Sequence, residues 1–352
     1  MSALPTVPGR VVRLGEGRVS ARLRLRPIGA AGCLALAVMA LTIVEIGTGD
    51  FPLSMGQVVA TLAGGGDEGA RFIVTELRLP RVACALLAGA ALGISGAIFQ
   101  SLTRNPLGSP DIVGFQAGAV TGALVVITVL GGAELEVSGG ALVGGAATAT
   151  AVYLLARRGG RLSGFRLVLI GIGVSALMLA TNDYLLSRAR IEDAQEATRW
   201  LLGSLNGRTW DDVRPMALAL VVLLPLAALA GRSLRLLELG DDAAQALGLG
   251  VERARGALVA LGVALVAVST TAVGPIAFVA LTAPQIARRL ARTAEPSLLC
   301  SALTGALLVQ GADVAAQWLV PETPLPVGVM TGALGGVYLI WLLGTELRSG
   351  RA

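Results

Sequence analysis

The chemistry open to this chain rests on arginine, carboxylates and amides, because its 352 residues include no histidine and all 28 basic residues are arginine. Without lysine there is no G-x-x-x-x-G-K loop to cradle a nucleoside triphosphate. Without histidine, and with Cys33, Cys84 and Cys300 scattered singly through apolar segments, neither a zinc cluster nor a cysteine–histidine pair can be assembled. The cysteines read as inert apolar core. What remains is recognition: Arg78 and Arg81 carry planar forks suited to bidentate capture of carboxylates. Asn182, Asp183, Gln310 and Asp313 are embedded in apolar stretches, where a polar side chain faces either a cavity or a partner helix. Glu45 falls near the end of one such stretch and reads as interfacial. The expectation is a chain with no catalytic residue, no metal and no cofactor of its own.

The elements that position these groups are set by composition. The chain is 54% hydrophobic and 14% charged, with a mean hydropathy of +0.75, too apolar for a soluble domain. Its 47 glycines and 4% aromatics suit helices that pack closely inside lipid. The fold class is therefore an all-α polytopic membrane protein. Apolar windows of bilayer-spanning length recur at 28–48, 82–101, 112–131, 140–156, 165–187, 214–231, 256–273, 276–290, 298–318 and 327–345, ten spans in all. The eighth is short and follows Gly274-Pro275, so a partial crossing is open there. Residues 1–27 read as a basic tail rather than a signal peptide, residues 28–345 as one membrane domain, and 346–352 as a second tail.

Arginine distribution orients the bundle. With both termini inside, 20 arginines fall on the cytoplasmic side and 8 outside, as the excess of positive charge in cytoplasmic loops requires. The net charge of +5 thus reports topology, and nothing points to nucleic acid.

Three local features carry competing readings. Arg78 and Arg81 sit on the outer side, either as lipid-headgroup anchors or as a basic knob for an acidic partner. The turn Gln100–Asp111, with Asn105-Pro106 and Ser109-Pro110, leaves the helix because residues before proline disfavour the α region. It is either a structural turn, with Asp111 capping the third span, or a gate from which Asn105 and Leu107 project. The connection 232–256 places Asp241 or Asp242 at the start of a short helix that ends near Gly248 and Gly250. It is either a surface loop or a seat for a cytoplasmic motor subunit.

The stretch Arg78–Ala119 resembles the signature of the iron-siderophore/vitamin B12 (FecCD-type) ABC importer permeases. So do Trp200–Leu205, Leu239–Gly248, Gly274–Arg288, Gly311–Asp313, and Pro321-Glu322 with Leu325–Gly328. The resemblance implies ten helices per subunit and a type II importer fold. It also implies two permease subunits, two cytoplasmic ATPase subunits that use ATP, and an extracytoplasmic binding protein that delivers ferric siderophore. Haem or cobalamin as cargo, or an ion-coupled carrier, are the alternatives. By this resemblance Arg78 and Arg81 meet carboxylates of the binding protein, and Asn105 and Leu107 close the inner mouth. Residues 239–255, with Asp241, Asp242, Ala244, Gly248 and Gly250, form paired short helices that engage the ATPase. The location implied is the bacterial inner membrane. Many members carry His where Gln285 stands, and an outer-face arginine where Gln317 stands. The Gln285 form is similar to the ferric-enterobactin branch, whose permeases tend to be heterodimers.

Overall fold

The computed structural model describes residues 10–14, 19–23, 25–49, 51, 53–65, 67–159, 161–293, 297–319 and 325–348. It begins with an antiparallel hairpin of β1 (Arg10–Leu14) and β2 (Val19–Leu23). Then follow α1 (Leu25–Gly47), α2 (Met55–Leu62), α3 (Glu68–Phe72), α4 (Leu79–Thr103), α5 (Phe115–Val125) and α6 (Glu134–Ala156). Two-residue strands β3 (Arg157–Arg158) and β4 (Arg161–Leu162) form a tight hairpin before α7 (Gly164–Arg188) and α8 (Ile191–Leu201). The chain continues through α9 (Trp210–Glu238), α10 (Asp241–Ala246), α11 (Val251–Val273), α12 (Val279–Ala291), α13 (Leu298–Leu319) and α14 (Val327–Arg348).

Seven of these helices are long and apolar enough to cross a bilayer, and Phe115–Leu130 and Val327–Leu342 are shorter apolar helices. The eighth expected span is α12, 13 residues long and preceded by the non-helical Gly274–Ala277. At 13 residues it is shorter than the roughly 20 residues a full crossing needs. The short helices α2 and α8 lie in connections that hydropathy leaves blank.

At the centre is α4, which packs against α9, α11, α12 and α13. Its spanning window is 78% buried, whereas those of α1 and α7 are 11% buried and turn most of their surface outward. The close approach has a sequence cause. A Cβ at Gly89 would collide with the Gly305 carbonyl, and one at Gly96 with the Ala280 carbonyl. In lipid, where apolar solvation drives helices together weakly, such small-residue contacts supply the packing energy. Gly118 and Gly122 of α5 meet Gly140 and Gly144 of α6 in the same way.

The helix containing α4 begins well before the expected span at 82, running unbroken from Glu68 to Thr103. Pro80 lacks a backbone N–H and would break an α-ladder. Here the preceding turn, Ile73–Arg78, widens to a π-helix closed by Leu79 N donating to Val74 O. The connection expected at 232–256 is shorter than the charge pattern suggested. Residues 232–238 are the last two turns of α9 and residues 251–256 the start of α11, so only 239–250 lies between them. It holds one short helix, α10, and not a pair.

Candidate functional site

The two ends of α4 carry the polar groups that the sequence singled out. At the first end, Arg78 Nη1 donates to Ile46 O and Nη2 to Phe51 O, both at 2.6 Å, tying the turn after α1 to the start of α4. One turn later Arg81 grips Asp313 of α13 bidentately, with Nε to Oδ2 at 2.7 Å and Nη2 to Oδ1 at 2.9 Å. Asp313 is 1% exposed. Gln317, one turn along α13, donates to the same Oδ2 at 2.9 Å. The Gln317 amide therefore completes the shell of Asp313. These contacts correct the picture of Arg78 and Arg81 as a projecting knob, because both guanidiniums are engaged inside the chain.

Glu45 packs close to the same group. It lies two residues from the end of α1, as expected, but is 3% exposed and so faces neighbouring helices. Asp313, Arg81 and Gln310 lie within electrostatic range, although neither carboxylate oxygen of Glu45 reaches hydrogen-bond geometry. Gln310 donates to Thr42 Oγ1 at 2.8 Å, joining α13 to α1. Asn182 likewise joins helices, accepting from Thr121 Oγ1 at 2.7 Å and donating to Ala117 O at 3.4 Å. Asp183, its neighbour in α7, is exposed. Cys84 and Cys300 are buried, whereas Cys33 is exposed on the outward face of α1.

Two cavities open at this end. One of about 420 Å³ is bounded by Glu45, Glu76, Arg78, Arg81 and Gln317. The other, about 560 Å³, is lined by Glu196, Trp200, Ser204, Asn206 and Gly274. Arg208 borders both. Its Nη1 donates to Ala272 O at 3.1 Å and Asp212 Oδ1 at 3.2 Å. Sequence reasoning counted Arg208 only as one external arginine. Its position three residues after the Trp200–Leu205 block was the available signal.

At the other end, Arg104 leaves the helix in the left-handed region at φ 50°. Asn105 Oδ1 accepts from Leu107 N at 2.9 Å, so this side chain builds the turn from within. Leu107 projects, at 44% exposed. The turn is fastened from α12, where buried Gln285 donates to Pro106 O at 2.7 Å. Gln100 donates to Leu281 O at 2.8 Å and accepts from Arg288 at 2.6 Å, locking α4 to α12 one turn deeper.

Asp111 does not cap the third span. It lies in a 3-10 turn, Pro110–Val113, and Gly114 stands at the N-cap of α5 without a side-chain bond. Burial pushes the Asp111 carboxyl up to about 6, with the Ser109 hydroxyl partly opposing the shift. Its Oδ1 is sealed from solvent and unpartnered.

Next to this turn is the corner between α9 and α11. Asp241 Oδ1 accepts from Arg104 Nη2 and from Arg255 Nη2, each at 2.8 Å. Ala244 is fully buried and seats α10 on the bundle, while Asp242, Gly248 and Gly250 are exposed. Gly248 takes the left-handed φ of 83° that ends the short helix. Residues 320–324, which include Pro321 and Glu322, lie outside the described residues.

The model of the FecCD transport family matches residues 36–345. The chain is 50% identical over 301 residues to the ferric enterobactin transport system permease protein of Escherichia coli K12, covering 86% of this chain and 91% of that protein. It is 38% identical over 333 residues to the achromobactin transport system permease protein of Dickeya dadantii, covering 93% and 95%. Among solved structures, a metal-chelate type ABC transporter in an inward-facing conformation superposes with a TM-score of 0.76 at 28% identity, covering 90% of this chain and 99% of that one.

Proposed function

Because the chain belongs to the FecCD transport family, we propose that it is the membrane permease subunit of an ABC importer for ferric siderophores, working beside a second, related permease chain. It performs no chemistry itself. ATP is bound and hydrolysed by separate subunits, and a binding protein brings the ferric chelate to the Arg78 end of α4, which faces outward under the 20-to-8 split of arginines. The Arg104 end then faces the cytoplasm, with both termini. The match running through both ends of α4 and the 239–250 corner carries this reading.

Docking at the outer end takes the form of exchange. A carboxylate of the binding protein must compete with Asp313 for Arg81, since that fork is already occupied. At the inner end, Leu107 and the Gln285-fastened turn form this subunit's half of the closing mouth, and the exposed face of α10 meets the ATPase. Nothing in this scheme requires a metal or cofactor held by the chain; iron is cargo.

The test is uptake of radiolabelled ferric siderophore into proteoliposomes holding the full complex, with the catalytic glutamate of the ATPase replaced. Accumulation should stop. Accumulation that persists refutes the ABC reading and leaves ion-coupled transport.

A further inference from the structure

We propose that Arg104, Asp241 and Arg255 form an internal latch that transmits displacement of α10 to the mouth turn 104–109, with Asp241 as its shared node. The proposal rests on the reading of the chain as an ATPase-driven permease and adds the path by which force crosses it.

The geometry is that of a hub. One oxygen, Asp241 Oδ1, receives both guanidiniums at 2.8 Å. Each arginine has a second anchor on a different element. Arg104 Nη2 also donates to Leu237 O at the end of α9, at 2.9 Å. That carbonyl belongs to the negative end of the helix, which favours a cation. Arg255 Nη1 donates to Leu162 O at 3.0 Å, and Leu162 N donates to Glu252 Oε2 at 2.8 Å, linking α11 to the strand before α7. A shift of α10 therefore pulls on the residue that closes α4 and on the start of α11. Asp241 thus has partners within its own chain, and the exposed Asp242 and Gln245 lie beside it on α10.

The two halves of the latch differ in solvation. Arg104 is 48% and Asp241 41% exposed, whereas Arg255 is 12% exposed. A half-solvated pair contributes little to folding. The Arg104 half can break and re-form during a cycle while the Arg255 half keeps Asp241 aimed. Loss of Arg104 should thus spare the fold and impair transmission, making Arg104 a positioning residue.

The experiment uses the full complex in proteoliposomes with ferric enterobactin as probe, reading ATPase co-purification, ATP hydrolysis and siderophore taken up per ATP. In Arg104→Gln, co-purification and hydrolysis should hold while uptake per ATP falls about fivefold or more, the scale of a typical coupling energy. Arg104→Lys should restore most of it. Asp241→Asn should lower the same ratio, and the double variant Arg104→Gln/Asp241→Asn should lower it no further than Asp241→Asn alone. An unchanged ratio in Arg104→Gln, or losses that multiply in the double variant, would overturn the latch. Uptake independent of hydrolysis in the unmodified complex would overturn the parent reading, and this one with it.

Discussion

Replacing Arg81 with alanine tests whether the Arg78–Arg81 end of α4 is held by charge. Asp313 is 1% exposed and takes two charge-assisted bonds from Arg81, at 2.7 and 2.9 Å. Arg81→Ala leaves its carboxylate in a buried site with only the Gln317 amide. Stranding a buried charge in this way costs about 3–5 kcal/mol. Arg81 itself is 21% exposed, so water already screens part of the pair and the loss should fall near the lower end, about 3 kcal/mol. Asp313→Asn retains an acceptor for the guanidinium and should cost about 1–2 kcal/mol. The double replacement Arg81→Met/Asp313→Leu removes both charges and should come within about 1 kcal/mol of the parent, because desolvation offsets most of the pair's attraction. The assay is equilibrium unfolding of the purified chain in detergent micelles, cross-checked by thermal melting. An Arg81→Ala loss under about 1 kcal/mol, or a double replacement as unstable as the single, would refute the reasoning.

Two further outcomes follow from the Arg104 end of α4. Gln285→Leu keeps side-chain bulk but leaves Pro106 O without its donor; it should cost about 1 kcal/mol and speed amide exchange at Leu107 and Gly108, and unchanged exchange would show that α12 does not fasten the turn. Asp111 sits with its carboxyl at about 6, above its ordinary 3.8, so the folded state binds the extra proton between those values. The stability this contributes is full below about 4 and is lost as pH rises through about 6. The gap bounds the effect at about 3 kcal/mol. From pH 5 to pH 8 the melting temperature of the parent should fall relative to Asp111→Asn, and parallel pH profiles would sink the assignment.

Much of this protein could be read from residue order. Spans are legible because a bilayer imposes a length of apolar chain that few other constraints demand, and the ten windows each coincide with a helix. Boundaries drifted where charge misled. Arg232 and Arg235 look like the start of a loop, yet α9 carries them to Glu238 because a helix emerging from lipid continues without penalty when its flanks are polar. The short helices α2 and α8 were invisible to a bilayer-length window because they are 8 and 11 residues long.

The sequence by itself determined the class of the molecule, the inventory of groups it works with, and which short stretches hold polar residues in an apolar frame. Tertiary structure alone decided what those groups touch. Arg81 and Asp313 are separated by 232 residues, and Gln285 and Pro106 by 179. Their pairing depends on how closely glycine-lined helices approach, a three-dimensional outcome of packing that no local pattern encodes. For the same reason the two arginines that looked like a free outer surface proved to be internal ties. Asp241, marked as a contact for another subunit, also holds the corner of its own chain.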